Sequence, residues 1–249
     1  RPSPGPYFTS LPAGTPFLFK LKAPYNHIAG GGFFAQYSTL PREMVWDAFG
    51  EKNGTASVRE FDQKIRMYRR LPKGPLEMGN NVLVEPFFFP KEQWIPLPDW
   101  PRSVVQGKTY DTETTEGAWI WNEVQQRLQD KAILDLVAEP AAEYGGPRYG
   151  EQFLTRSRLG QGAFRVLVSE AYGKRCAITG ESTLPVLEAA HIKPYELEGP
   201  HKITNGMLLR SDFHKLFDAG LVTVTPDLRV RVSDRIREQY FNGKAYYRL

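Results

Sequence analysis

The sequence predicts an α+β protein built from two modules, and three observations predict it. Short runs rich in aromatic and branched residues, suited to strands, alternate with longer stretches whose apolar residues recur every three or four positions. A small, polar, glycine-rich stretch, "EPAAEYGGPRYG" at residues 139–150, interrupts that alternation and marks a boundary. Charge divides at the same place. Residues 1–150 carry 17 basic and 17 acidic side chains, whereas residues 151–249 carry 15 and 11, so the whole positive excess lies in the second part. The expected modules are residues 1–145 and 150–249. A chain of 249 residues with 41% hydrophobic content is long enough to give each a core.

The elements follow in order. Residues 1–14, with their Pro, Gly and Ser, read as an arm or loop. "TPFLFKLKA" reads as a strand, and "NHIAGGGFFAQYS" as a glycine-rich turn leading into a second strand. "LPREMVWDAFG" and "SVREFDQKIRMYRR" read as helices, the second with Phe61, Ile65 and Tyr68 on one face. "NVLVEPFFF" reads as a buried strand, and the proline-rich stretch after it as irregular. "AWIWNEVQQRLQDKAILDLVA" reads as a long amphipathic helix with Ile120, Val124 and Leu128 inward.

Beyond the boundary, Phe164, Leu167, Val168 and Ala171 form a helical stripe. Then come a turn at "RCAITG", a strand at "LPVLEAAHI", a loop to Asn205, and a second strand at "GMLL". "SDFHKLFDAG" reads as a short helix with Ser211 as N-cap and Gly220 as its stop. "LVTVTPDLRVRVS" reads as a hairpin with a Pro-Asp turn.

Composition excludes several classes. No apolar run approaches the ~20 residues a membrane helix needs. There is no signal-peptide pattern, and the single cysteine, Cys176, excludes an internal disulfide framework and any zinc site built on several thiolates. A cytoplasmic, nucleoid-associated place in a bacterial cell is expected. The basic second module suggests a polyanionic partner.

Three polar residues in that module stand at telling intervals. His191 ends the first strand, Asn205 follows it by 14 residues, and His214 follows Asn205 by nine, on the helix. Taken singly, His191 reads as a core or loop histidine, and Asn205 before Gly206 as a turn residue. Taken together, the order of strand, His, loop, Asn, strand and helix with His resembles the HNH (ββα-metal, His-Me finger) endonucleases. Residues 156–225 look like the subgroup found in restriction enzymes.

The resemblance implies a C-terminal ββα-metal domain that hydrolyses phosphodiester bonds. His191 would take the proton of the attacking water, since an imidazole titrates near neutral pH. Asn205 would hold the imidazole or the loop through its amide. His214 and, one helical turn on, Asp218 would hold a divalent metal, most simply Mg²⁺, with Mn²⁺ also admissible. Many relatives have an aspartate immediately before the base histidine. Here that position is Ala190, and Glu188, two residues back on the same strand face, would complete the site. Many relatives also clamp a structural zinc with two cysteine pairs; here Thr179, Arg210 and Phe213 occupy the other positions, so no structural zinc is expected. Arg156, Arg158, Gln161, Arg165, Lys193 and Arg210 are candidate DNA contacts.

The first module weakly resembles PUA-like mixed β-barrels with helices, which include the SRA- and EVE-type readers of modified bases. That implies a restriction enzyme cutting double-stranded DNA that bears 5-methylcytosine or 5-hydroxymethylcytosine; cutting both strands with one site per chain would favour a homodimer. A flipped base would lie among Asn26, His27, Phe34, Tyr37, Trp94 and Trp100, with the "GGG" stretch bringing backbone amides close. Two alternatives stand beside it: an HNH nuclease or nickase whose first module reads sequence or DNA structure, and a nucleic-acid-binding protein on an inactive HNH scaffold.

Overall fold

Fifteen residues from His27 to Pro41 form one continuous strand, the longest among the described residues. A computed structural model describes residues 11–69, 77–97, 107–136, 160–194, 199–200, 202–240 and 243–248, without the side chains of 69 and 130–136. The long strand, β2, pairs antiparallel with β1 (Pro16–Lys20) on one edge. Its other edge takes β3 (Glu77–Phe88) and the two-residue β4 (Ile95–Pro96). Two helices, α1 (Arg42–Phe49) and α2 (Val58–Arg69), lie between β2 and β3 in sequence, and α3 (Thr115–Leu136) follows β4.

The glycine-rich stretch is therefore strand and not turn. Gly30, Gly31 and Gly32 are buried within β2. A Cβ on Gly31 would lie 2.7 Å from both the Phe17 carbonyl and the Phe87 ring, and one on Gly30 would strike the Phe87 carbonyl. These glycines serve close approach of neighbouring backbone and rings. Their packing leaves no room for a base or phosphate against Gly31 or Gly30 from that side.

Contacts divide the described chain into two compact units, the first from Ala35–Val84 and Leu154–Leu249, the second from Pro12–Phe34 and Glu85–Phe153. The second unit is built on Ile28, Phe87, Phe89, Ile95, Leu97, Ile120 and Val124, all under a tenth exposed, with Trp94, Trp121 and Leu128 packed against them. Each large side chain so buried contributes about 1.5–3 kcal/mol. The inward positions Ile120, Val124 and Leu128 of α3 match the 3.6-residue period of the sequence. Among the described residues the strands form an open four-stranded sheet and two hairpins, and no closed barrel. The expected PUA-like barrel is thus not what these strands make.

In the first unit, Phe61 and Ile65 of α2 are buried, but Tyr68 is 71% exposed. The periodicity placed all three on one face, but only Phe61 and Ile65 are covered by the core. The C-terminal part of this unit begins with α4 (Gln161–Ala171) and continues with β5 (Leu187–His191), β6 (Gly206–Arg210), α5 (Ser211–Asp218), the hairpin β7 (Val222–Val224) and β8 (Val230–Val232), and α6 (Arg235–Tyr240). Helix α4 is buried on more than a stripe: Ala163, Phe164, Val166, Leu167, Val168 and Ser169 are covered, while Ala171, expected inward, is exposed.

The cover of α4 comes partly from far back in the sequence. A Cβ on Gly162 would strike the carbonyl of Ala48 in α1, so glycine permits the two helices to touch. Ser38 Oγ of β2 donates to Glu170 Oε1 at 2.5 Å, and Lys174 Nζ bridges the Thr39 carbonyl (2.9 Å) and Glu170 (3.0 Å).

Candidate active site

Strands β5 and β6 pair antiparallel, with Leu187 opposite Arg210, Glu188 opposite Leu209, Ala189 opposite Leu208, Ala190 opposite Met207, and His191 opposite Gly206. Leu187, Ala190, Leu208 and Leu209 are at most 2% exposed, so the hairpin is rooted in core. Helix α5 starts directly after β6. Ser211 is its first residue, its cap is Arg210, and no side chain caps it. Gly220, at φ +65°, ends it: Gly220 N–H bonds the Phe217 carbonyl and Leu221 N–H the Leu216 carbonyl.

This hairpin and helix bring Glu188, His214 and Asp218 together. Nδ1 of His214 lies 2.6 Å from Oε2 of Glu188, and Nε2 lies 3.3 Å from Oδ2 of Asp218. One imidazole thus has a carboxylate at each nitrogen, one from β5 and one from its own helix a turn later. Asp212 is turned elsewhere: its two oxygens take Nε and Nη2 of Arg210, each at 2.7 Å.

Asn205 is a loop clamp. It is buried, and its Oδ1 accepts the Lys193 N–H at 2.9 Å while its Nδ2 donates to the carbonyls of Lys193 and Pro200, both at 3.0 Å. Its own carbonyl accepts the Ile192 N–H at 2.8 Å. Of the two sequence-based roles for this amide, the described bonds are those of the loop. They fix the chain immediately after His191.

His191 is half-buried, and its ring lies flat against Phe164 of α4, with centroids 4.2 Å apart and planes 9° apart. Nothing in the sequence singled out Phe164 for this; it stood only as one member of the α4 stripe.

Cys176 sits under the start of α5. Its thiol, 3% exposed, accepts the N–H groups of Thr179 (3.5 Å) and Arg210 (3.3 Å). Burial pushes the thiol up, but hydrogen bonds from the Thr179 side chain and from the backbone of Thr179, Ile178 and Arg210 outweigh it and hold its pKa below the ordinary value. Two of the positions where relatives would carry further cysteines thus donate backbone N–H groups to the one that is present.

The candidate DNA contacts scatter in state. Gln161 is exposed at the first turn of α4, Arg165 is half-buried, and Lys193 is exposed. Arg210 is tied to Asp212 and lies over the Phe213 ring at 5.1 Å. The Asp212 bond is the main cause that raises its guanidinium further, and the same bond lowers the Asp212 carboxyl. Arg156 and Arg158 fall outside the described residues.

Of the base-pocket candidates, Asn26, His27 and Trp94 gather in the second unit. Asn26, at φ +47°, accepts a 2.8 Å bond from Lys20 through Oδ1. Trp94 meets His27 and Tyr25, each with ring centroids 6.2 Å apart, and donates its indole N–H to the Phe89 carbonyl. Tyr25, which sequence reasoning missed, is 58% exposed. Phe34 is a core residue, 3% exposed, so it cannot stack on a base, and Tyr37 belongs to the other unit. Trp100 lies outside the described residues.

The donor set of Glu188, His214 and Asp218 suits a divalent cation by chemistry, one imidazole nitrogen and hard carboxylate oxygens. As the side chains stand, no group of three or more His, Cys, Asp and Glu among the described residues is arranged to hold an ion. The two carboxylates engage different nitrogens of one ring and do not converge.

Comparison with known proteins bears on this region. Residues 176–225 match a family model described as HNH endonuclease, a segment that contains Glu188, His191, Asn205, His214 and Asp218. No curated protein and no solved structure matches the chain. The HNH domain in this segment supports an HNH-type nuclease acting on nucleic acid, and HNH nucleases generally use a divalent metal. No described helix is long and apolar enough to cross a membrane.

Proposed function

We propose that the protein is a metal-dependent DNA endonuclease that restricts modified DNA. The observation that carries the hydrolytic part is the placement of His191 at the end of β5, beside a loop held by Asn205, with the Glu188–His214–Asp218 group on the adjoining strand and helix. In the reaction the His191 imidazole takes a proton from water as the water oxygen bonds phosphorus. The bond from phosphorus to the 3′ oxygen breaks, and that oxygen leaves as an alcohol after gaining a proton from solvent. Asn205 keeps the strand end, and so the imidazole, in place. Glu188 holds Nδ1 of His214, which leaves Nε2 and the Asp218 carboxylate as the groups to hold a cation. When bound, a divalent cation, Mg²⁺ or Mn²⁺, supplies charge neutralisation at the phosphate and stabilises the leaving oxygen.

Recognition of the modified base is assigned to residues 1–145. The support is the exposed ring of Tyr25 grouped with His27 and Trp94, beside the polar pair Asn26 and Lys20. Rings with a free face stack on any base, and edge hydrogen bonds choose among bases.

The open sheet and the burial of Phe34 favour a second reading, in which this module reads sequence or DNA structure and the enzyme cuts or nicks unmodified sites. The full-length protein should be incubated with matched duplexes carrying cytosine, 5-methylcytosine or 5-hydroxymethylcytosine, each with Mg²⁺, Mn²⁺ or EDTA. Cutting of a modified duplex alone, abolished by EDTA, is the expected result. Equal cutting of all three duplexes selects the second reading.

A further inference from the structure

We propose that Phe164 is a positioning residue for the general base, an inference that rests on the reading of His191 as that base. Phe164 lies in α4, ahead of the segment that matches the HNH model. Its ring stacks on the His191 ring at 4.2 Å and 9°. A ring so close and so nearly parallel closes one face of the imidazole to water. It also stops the ring from swinging about its χ2 bond, because any large rotation drives an imidazole edge into the phenyl face.

The stack is built from both sides. Phe164 is 2% exposed and flanked by Val166, Leu167 and Val168, none above 3%, so its own rotamer is locked by packing. The strand position opposite His191 is Gly206. A Cβ there would lie 3.1 Å from the edge of the Phe164 ring and would strike Val168. Glycine at 206 therefore lets α4 sit low enough on the hairpin for Phe164 to reach the histidine. The helix is in turn fixed by Glu170 to Ser38 and by Gly162 against Ala48.

A proton acceptor must meet the attacking water in line, and misplacing it by about 1 Å can cost as much as 100-fold in rate. Phe164 touches neither water nor phosphate in this account. It acts by restricting His191 to one plane.

The test uses the full-length protein. In the wild type, ring-current shielding should place the His191 ring C–H signals upfield of those of His27 and His214 in a ¹H–¹³C spectrum, with the assignment made from His191→Ala. In Phe164→Leu those signals should move downfield. The same variant should lose about tenfold in kcat, with KM for DNA unchanged, whereas Phe164→Tyr keeps the stack and most of the rate. Thermal unfolding is measured first, and Phe164→Met replaces the leucine variant if that one does not fold. Absence of upfield shielding in the wild type overturns the proposal, as does a leucine or methionine variant that cuts at the wild-type rate while His191→Ala is dead. If His191→Ala itself cuts normally, the reading of His191 as base fails, and the spectrum still reports separately on the stack.

Discussion

The carboxylate of Glu188 contacts Nδ1 of His214 across 2.6 Å, from the strand to the helix that follows the hairpin. A histidine whose one nitrogen is held by a carboxylate presents the other in a fixed direction, and such partners tune the affinity of histidine for metal. Glu188→Gln keeps a hydrogen-bonding side chain but loses the charge. Cation affinity, followed by Mn²⁺ titration of the full-length protein, should fall about 10–100-fold, with cutting partly restored at high metal. An unchanged affinity would remove Glu188 from the metal site.

His191→Ala should abolish cutting and leave DNA binding nearly intact, because phosphate contacts and not the base supply affinity. Gel-shift and single-turnover assays on one preparation separate the two. A variant that cuts at more than a few per cent of the wild-type rate contradicts the assignment.

Asn205→Ala should cost about 1–3 kcal/mol of stability, the penalty for leaving buried polar groups unpaired. Three bonds from its amide group are lost, at Lys193 N–H and at the Lys193 and Pro200 carbonyls. Urea unfolding measures it. Asn205→Asp should be no better, since a carboxylate can accept from Lys193 but cannot donate to the two carbonyls.

The Arg210–Asp212 pair gives a pH dependence of known sign. Its hydrogen bond lowers the carboxyl of Asp212, so the folded state holds its proton more weakly than the unfolded chain. The resulting stabilisation is complete above the unfolded pKa and lost as pH falls through the folded one. Both groups are about one-third exposed, so the gain is at most about 1 kcal/mol. Asp212→Asn should therefore lower Tm slightly at pH 7 and not at all well below the carboxylate range.

A fragment of residues 150–249 lacks Ser38 and Ala48, which contact α4, and Thr39, which accepts from Lys174 just beyond it. It should unfold at lower temperature than the full chain and cut poorly or without discrimination. A fragment with full activity and discrimination would show that α4 needs none of them and that the division of labour between modules is wrong.

The legible part of this molecule was the part governed by short-range pattern. The period of α3, the β5 and β6 strands around Asn205, and the helix carrying His214 and Asp218 all follow from local spacing. The sequence also put Glu188 on the strand face that meets His214, because residue alternation along a strand is a rigid rule. What escaped it depended on long-range packing. Three consecutive glycines look like a turn until β1 and β3 are seen to press on them. Tyr68 fits the helical stripe but lies past the edge of the core, and Phe164 fits it for a reason that only the approach of His191 reveals. Phe34 looked available for stacking because nothing local distinguishes an outward aromatic on a strand from an inward one.

The Asn205 clamp has a consequence for the lifetime of the protein. An asparagine followed by glycine is the dipeptide most exposed to spontaneous ageing. The glycine nitrogen closes on the side-chain carbonyl carbon, ammonia leaves, and the ring reopens to aspartate or isoaspartate. That closure requires the amide to swing free. Here both of its heteroatoms are engaged with Lys193, and its nitrogen with Pro200 as well, while Gly206 sits in extended strand geometry opposite His191. The folded protein thus shields the Asn205–Gly206 bond. Damage at this site should accumulate only in chains that have opened, so a batch aged under mild denaturation would lose activity irreversibly even after it is returned to folding conditions.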